Sequence, residues 1–159
     1  MNDILVHSEA VLGCGFVADR YLAPGEDEYR IRNAQLAGMR GKAPDSWRPL
    51  TPTEIETLIK NDNRASDWGR ILVRDPFDPT LVRNSEFAGL VRIGSLERVV
   101  LEHHDMMLPA GISNSRIVAC DIGDQCSIHS CSYIAHYIVG DQCILLNNDE
   151  IQATDHAKW

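Results

Sequence analysis

From Leu81 onward, branched apolar and aromatic residues recur at a step that belongs neither to a helix nor to a simple strand. Leu81, Phe87, Ile93 and Val99 are spaced by six; Ile112, Ile117, Ile122, Ile128, Ile134, Val139, Leu145 and Ile151 follow at steps of 5, 5, 6, 6, 5, 6 and 6. An amphipathic helix would repeat at 3 and 4, and a meander would alternate between turns. A step of five or six fits one short strand plus one corner, so three steps close a triangular coil. The tetrapeptide Gly123-Asp124-Gln125-Cys126 returns 17 residues later as Gly140-Asp141-Gln142-Cys143, marking equivalent positions in successive coils. The pattern predicts a mainly β chain: a parallel β-helix over residues 81–159, with backbone hydrogen bonds running between coils stacked about 4.8 Å apart. Residues 100–111 interrupt the repeat, and Glu97, Ile138 and Asp149 stand where a small residue is expected.

Upstream, residues 51–80 predict a docking helix and a strand. Thr51-Pro52-Thr53-Glu54 has the form of a capping box with proline at the first helical position. Ile55, Leu58 and Ile59 form one apolar stripe, and Asn61-Asp62-Asn63 ends a helix over 52–60. Trp68 reads as a buried anchor beside the strand-like Ile71-Leu72-Val73. Residues 1–50 form an N-terminal segment to which the pattern assigns no fold. It has turn material at Pro24-Gly25, a polar linker from Arg40 to Arg48, and a Gly13-Cys14-Gly15 that lacks the third glycine of a dinucleotide fingerprint.

Charge narrows the function classes. The net charge of −8 and pI near 5.1 leave no basic stripe for nucleic acid or an anionic membrane. Residues 1–18 carry no Lys or Arg, and no apolar run approaches the roughly 20 residues of a bilayer span. The five cysteines are an odd number without an export signal, which places the protein in the cytoplasm with reduced thiols. Cys126 and Cys143 then read as a ladder of small buried thiols. A zinc site from Cys120, Cys126, His129 and Cys131 fails on register, because Cys126 faces inward while His129 and Cys131 are expected to face out.

The hexads Ile122–Ser127 and Val139–Ile144 begin with a branched residue, then Gly, with a small residue fifth. They resemble the hexapeptide-repeat proteins of the left-handed β-helix superfamily. Over residues 45–159 the ordered segments LTPTEI, DW, VRIG, GISNS, IGDQCSIH and VGDQC are also similar to a bacterial family described only as a domain of unknown function. The resemblance implies a left-handed coil, against the usual right-handed crossover. It further implies a homotrimer in which an outward histidine, in a groove between subunits, is the general base for transfer to a sugar or other small acceptor. The donor would be an acyl thioester or a nucleotide-sugar.

Two histidines meet that description. His129 follows the inward Ile128, and His136 lies two places after the inward Ile134. Neutral imidazole can take a proton from an attacking hydroxyl or amine. His103-His104, in the interruption, reads as a solvated loop, and Asp124 and Asp141 read as corner residues. The alternative is a non-catalytic scaffold or assembly domain. A three-histidine zinc enzyme lacks its third ligand, and a nucleotide-sugar pyrophosphorylase would need a Gly-rich α/β domain that residues 1–80 do not supply. Because a solenoid needs a polar cap over its last coil, the coil that ends near Trp159 is expected to continue into further coils of a longer protein.

Overall fold

The computed structural model describes Asn33 and residues 47–152; Gly13-Cys14-Gly15, Pro24-Gly25, Cys14 and most of the Arg40–Arg48 linker lie outside the described residues. Helix α1 (Pro52–Lys60) forms where the capping box predicts it. The Thr51 hydroxyl accepts the Glu54 N–H at 3.2 Å, and the Glu54 carboxylate accepts the Thr51 N–H at 2.8 Å. Leu58 is buried and Ile55 packs against the core, but Ile59 is 54% exposed, so the apolar stripe is narrower than expected. Asn63 ties the helix end to the coil below it. Its Nδ2 donates to the Leu58 and Val82 carbonyls at 2.9 and 2.8 Å, and its Oδ1 accepts the Ser85 N–H at 3.1 Å. No helix among the described residues is long and apolar enough to cross a membrane.

The strands form three long ladders and one hairpin. The first ladder contains β1 (Arg48–Pro49), β3 (Ile71–Val73), β6 (Val91–Ile93), β11 (Asp121–Ile122) and β14 (Ile138–Val139). The second contains β2 (Arg64–Ala65), β5 (Glu86–Ala88), β10 (Arg116–Val118), β13 (Tyr133–Ala135) and β16 (Glu150–Gln152). The third contains β4 (Val82–Arg83), β9 (Gly111–Ser113), β12 (Ser127–His129) and β15 (Ile144–Leu146). Within them every pairing is parallel except β1 with β3. The chain is therefore a parallel β-solenoid of about five turns, with one short helix near its start.

Register turns the hexad spacing into columns. Ala65, Phe87, Ile117, Ile134 and Ile151 are partners down the second ladder. Val73, Ile93, Ile122 and Val139 stack in the first, and Val82, Ile112, Ile128 and Leu145 in the third. These columns form the core; each fully buried branched side chain contributes roughly 1.5–3 kcal/mol.

Two expected axis residues are displaced. Val82, fully buried, replaces Leu81, because Pro79–Leu81 coil into a 3-10 turn whose N-terminus is capped by the Asp78 side chain. Val99 is 39% exposed, and Leu96, fully buried and bridged to Phe77, fills the interior there. The parallel ladders also reach back to Arg64, ahead of residue 81, through β2 and β3.

Corners are made by residues in the left-handed backbone region. Asn84, Asn114, Ser130 and Asn147 take it after the third face, Ala119 and His136 after the second, and Gln125 and Gln142 after the first, all with φ between 44° and 60°. Asparagine tolerates this conformation, and Asn84 Nδ2 donates to Asn114 Oδ1 at 2.7 Å across coils. The repeated Gly has a different cause. A Cβ on Gly123 would stand 2.4 Å from the Gly140 carbonyl oxygen, so the coils could not stack at that corner. Cys120, Cys126 and Cys131 are completely buried in the core of one coil. Cys131 thus points inward, not outward as its position after His129 led us to expect, because the left-handed Ser130 turns the chain between them.

Candidate functional site

His129 ends β12 on the outside of the third face. Its register partners make one row across successive coils, Arg83–Ser113–His129–Leu146. His129 is half-buried, and both ring nitrogens are engaged. Nδ1 lies 2.6 Å from the Ser113 hydroxyl, and Nε2 lies 3.0 Å from the Pro109 carbonyl oxygen. A carbonyl oxygen can only accept, so the neutral ring carries its proton on Nε2. Nδ1 is therefore the acceptor, and Ser113 donates to it.

Pro109 reaches this position through the interruption of the repeat. Residues 100–109 leave the coil as an antiparallel hairpin, β7 (Val100–His103) paired with β8 (Met106–Pro109). Its second strand runs straight into Ala110 and β9, which sets the Pro109 carbonyl above the neighbouring coil. The same oxygen accepts the buried Ser127 hydroxyl at 2.9 Å. Two donors on one carbonyl fix the hairpin's root and the imidazole together. His103 and His104 lie at the hairpin turn, exposed, with ring centroids 4.3 Å apart.

Beside the hairpin is a hollow of about 340 Å³ lined by Leu101, Glu102, His103, Gln142 and Ile144. Ile144 is the register partner of Ser127, so the hollow lies on the face that carries His129. Its wall combines two aliphatic side chains with a carboxylate, an amide and an imidazole.

His136 occupies a different place. It follows β13 at a corner of the second face, with φ 60°, in line with Ala119 of the preceding coil. Its backbone N–H donates to the Val118 carbonyl at 3.1 Å, which closes that corner. The two candidate histidines thus stand on different faces of the prism, and the structure does not bring them together.

A polar pair that the periodicity did not announce lies buried on the outer side of the first face. Arg92 and Asp121 are fully buried and joined by two hydrogen bonds of 2.6 and 2.7 Å. Trp47 lies against it, 4.3 Å from the Arg74 guanidinium and 5.3 Å from that of Arg92, and Arg92 also donates to Asn33. Such a pair is sealed from solutes and belongs to packing rather than chemistry. Among the described residues no group of three or more His, Cys, Asp or Glu side chains is arranged to hold a metal ion.

Ser113, Pro109 and Arg83 were not singled out from the sequence. Ser113 precedes His129 by 16 residues, one coil, so register counting alone could have paired them. Nothing in the hexad pattern places Pro109.

Comparison with known proteins gives a family but no chemistry. A family described as Domain of unknown function (DUF4954) matches residues 47–159. An "Uncharacterized protein" of Treponema pallidum (strain Nichols) is 48% identical over 147 residues, which cover 92% of this chain and 20% of that protein. The chain thus spans about a fifth of the length of the curated relative it matches. No solved structure matches. With more than two thirds of its residues inside the family match, the chain belongs to the DUF4954 family.

Proposed function

We propose that this solenoid transfers an acyl group from a thioester to the hydroxyl or amine of a small acceptor such as a sugar, with His129 as the general base. One observation carries the reading: His129 Nε2 lies 3.0 Å from the Pro109 carbonyl oxygen, which can only accept, and Nδ1 lies 2.6 Å from a hydroxyl, so in the neutral ring Nδ1 is the acceptor. That is the state and reach a general base requires. The hollow on the same face offers aliphatic contacts from Leu101 and Ile144 for the donor and polar groups for the acceptor. A nucleotide-sugar is the competing donor; the hollow's own lining has no Arg or Lys to meet its phosphates. His136, committed to a corner, has no part in the chemistry.

The protein works in the cytoplasm as a homotrimer, in which a neighbouring copy closes the groove. The four described cysteines are free thiols, which supports a reducing compartment. The second reading is a non-catalytic assembly domain, favoured by the apolar side chains the hairpin leaves in solvent: Val100 is 57% exposed and Met107 64%.

Screening the intact chain with acyl-thioester and nucleotide-sugar donors against sugar and amine acceptors separates these readings. Transfer from a thioester, lost in His129→Ala and kept in His136→Ala, supports the first. Absence of turnover and of ligand binding in a chain that sediments as an oligomer supports the second.

A further inference from the structure

The hydroxyl that His129 holds is a protein hydroxyl, and we infer that Ser113 is a covalent nucleophile, so that the acyl group passes through an ester on Ser113 Oγ. The inference rests on the acyl-transfer reading and adds an intermediate to it. The arrangement has the three roles that activate a serine: a hydroxyl within reach of a base, the base in its neutral tautomer, and a third group that fixes the ring. Here the hydroxyl is 2.6 Å from Nδ1, and the Pro109 carbonyl, 3.0 Å from Nε2, is the orienting group. The ring cannot swing away, because the carbonyl that holds it is itself fixed by Ser127.

Position on the fold favours this role. Ser113 lies at the end of β9, on a ladder strand rather than a loop, with parallel partners on both sides. Its partner on the other side from His129 is Arg83, whose Nε donates to the Thr80 carbonyl at 3.3 Å. Among the described residues the Arg83 side chain makes no other hydrogen bond, so the rest of its guanidinium is available to an oxyanion formed at Ser113. The row therefore reads cation, nucleophile, base, in three consecutive coils.

The steps balance. Ser113 Oγ attacks the thioester carbonyl carbon while its proton passes to His129 Nδ1. The C–S bond then breaks and the thiolate leaves with that proton as a thiol. An acceptor hydroxyl next attacks the Ser113 ester, gives its proton to Nδ1, and the proton returns to Ser113 Oγ as the product departs. Because a neutral carbonyl stabilises the imidazolium less than a carboxylate would, the nucleophile is a slow one.

The test is covalent capture. The intact chain is treated with a fluorophosphonate probe and, separately, with p-nitrophenyl acetate, and adducts are located by peptide mass mapping. The expected result is one adduct on Ser113, formed at least about 100-fold more slowly in His129→Ala. Ser113→Ala should lose it, and Ser132→Ala, at an exposed serine, should label at the parent rate. Circular dichroism checks that the variants are folded. Acyl transfer that persists in Ser113→Ala, with no adduct in the parent, would overturn the inference and leave direct transfer by His129 standing. An adduct on Ser113 whose acyl group goes only to water would support the nucleophile and sink the transferase reading. Labelling of Ser113 at an unchanged rate in His129→Ala would overturn the dyad.

Discussion

The Asp141 carboxylate accepts the backbone N–H of Asp124, 2.8 Å away in the preceding coil. Asp124 does the same for Ser95, one coil earlier, at 3.0 Å. The aspartate of the repeated tetrapeptide is thus a rung between coils at a corner where the ladder of strand hydrogen bonds is interrupted. Asp124 is buried and lies 3.5 Å from Arg74 Nη1, whereas Asp141 is exposed. Asp124→Ala should therefore cost about 3 kcal/mol, since it removes a buried charge-assisted acceptor, and Asp141→Ala about 1 kcal/mol. Urea denaturation followed by circular dichroism would measure both; equal losses would contradict the rung argument.

The glycine of the same tetrapeptide gives a sharper contrast. Gly123→Ala puts a Cβ 2.4 Å from the backbone oxygen of Gly140, and backbone on both sides cannot yield without parting the coils. A loss of about 3 kcal/mol or more is expected. Gly69→Ala meets only the Asp67 carboxylate, at 3.2 Å, and that side chain can move. Its effect should stay within about 0.5 kcal/mol. Thermal melts of the two variants would check the difference, and similar melting temperatures would count against it.

These corners also show how much of the fold was legible. Ile117, Ile122, Ile128 and Ile134 could be placed from spacing alone because each sits one strand and one corner from the next, and all four are buried on the axis. The reading slips where the step is not five or six. Ala65, Val73 and Val82 are eight and nine residues apart, so the coil they form does not look like a hexad repeat. Val99 keeps the six-residue beat in sequence but precedes the hairpin, which carries it out of the core. The site was half legible for the same reason. His129 follows an axis isoleucine and must point outward, whereas its partner Pro109 enters from an insertion with no register of its own. The Arg92–Asp121 pair escaped notice because both residues occupy outward positions, where charge is ordinarily solvated.

Acid should weaken the helix end of the molecule. Arg48 makes two hydrogen bonds to Glu54, of 2.7 and 3.0 Å, and its Nη2 lies 2.7 Å from Asp75. The guanidinium holds Glu54 below the ordinary glutamate value of 4.5, against an opposing effect of burial. It also lowers Asp75, and its own affinity for the proton is raised in return. A carboxyl depressed in the folded state binds protons more readily when unfolded, so its contribution is present above 4.5 and is lost as pH falls through the folded value. Stability should be level from neutral pH down to about 5.5 and decline below about 4.5. Glu54→Gln should be less stable than the parent at neutral pH and show a shallower acid decline. An unchanged acid slope in urea titrations at successive pH values would show that other carboxylates dominate.

Comparison of the two histidines is the decisive measurement on function, because the structure gives them unlike surroundings. His129 is fixed by two side-chain hydrogen bonds on the outer face, and its removal deletes the only acceptor for the Ser113 proton described there. His129→Ala should lower acyl transfer by roughly 10²- to 10⁴-fold, the range for loss of a general base, with little change in the acceptor KM. His129→Gln separates positioning from proton transfer, since its amide can hydrogen-bond to Ser113 or Pro109 but cannot carry a proton; it should be as inactive as alanine. At His136 the backbone already stands at φ 60°, so His136→Asn keeps the corner and should retain the parent rate. Initial rates for the four proteins with a single thioester donor would decide the matter. Full activity in His129→Gln would reduce His129 to a positioning residue, and loss of activity in a folded His136→Asn would move the chemistry to the second face.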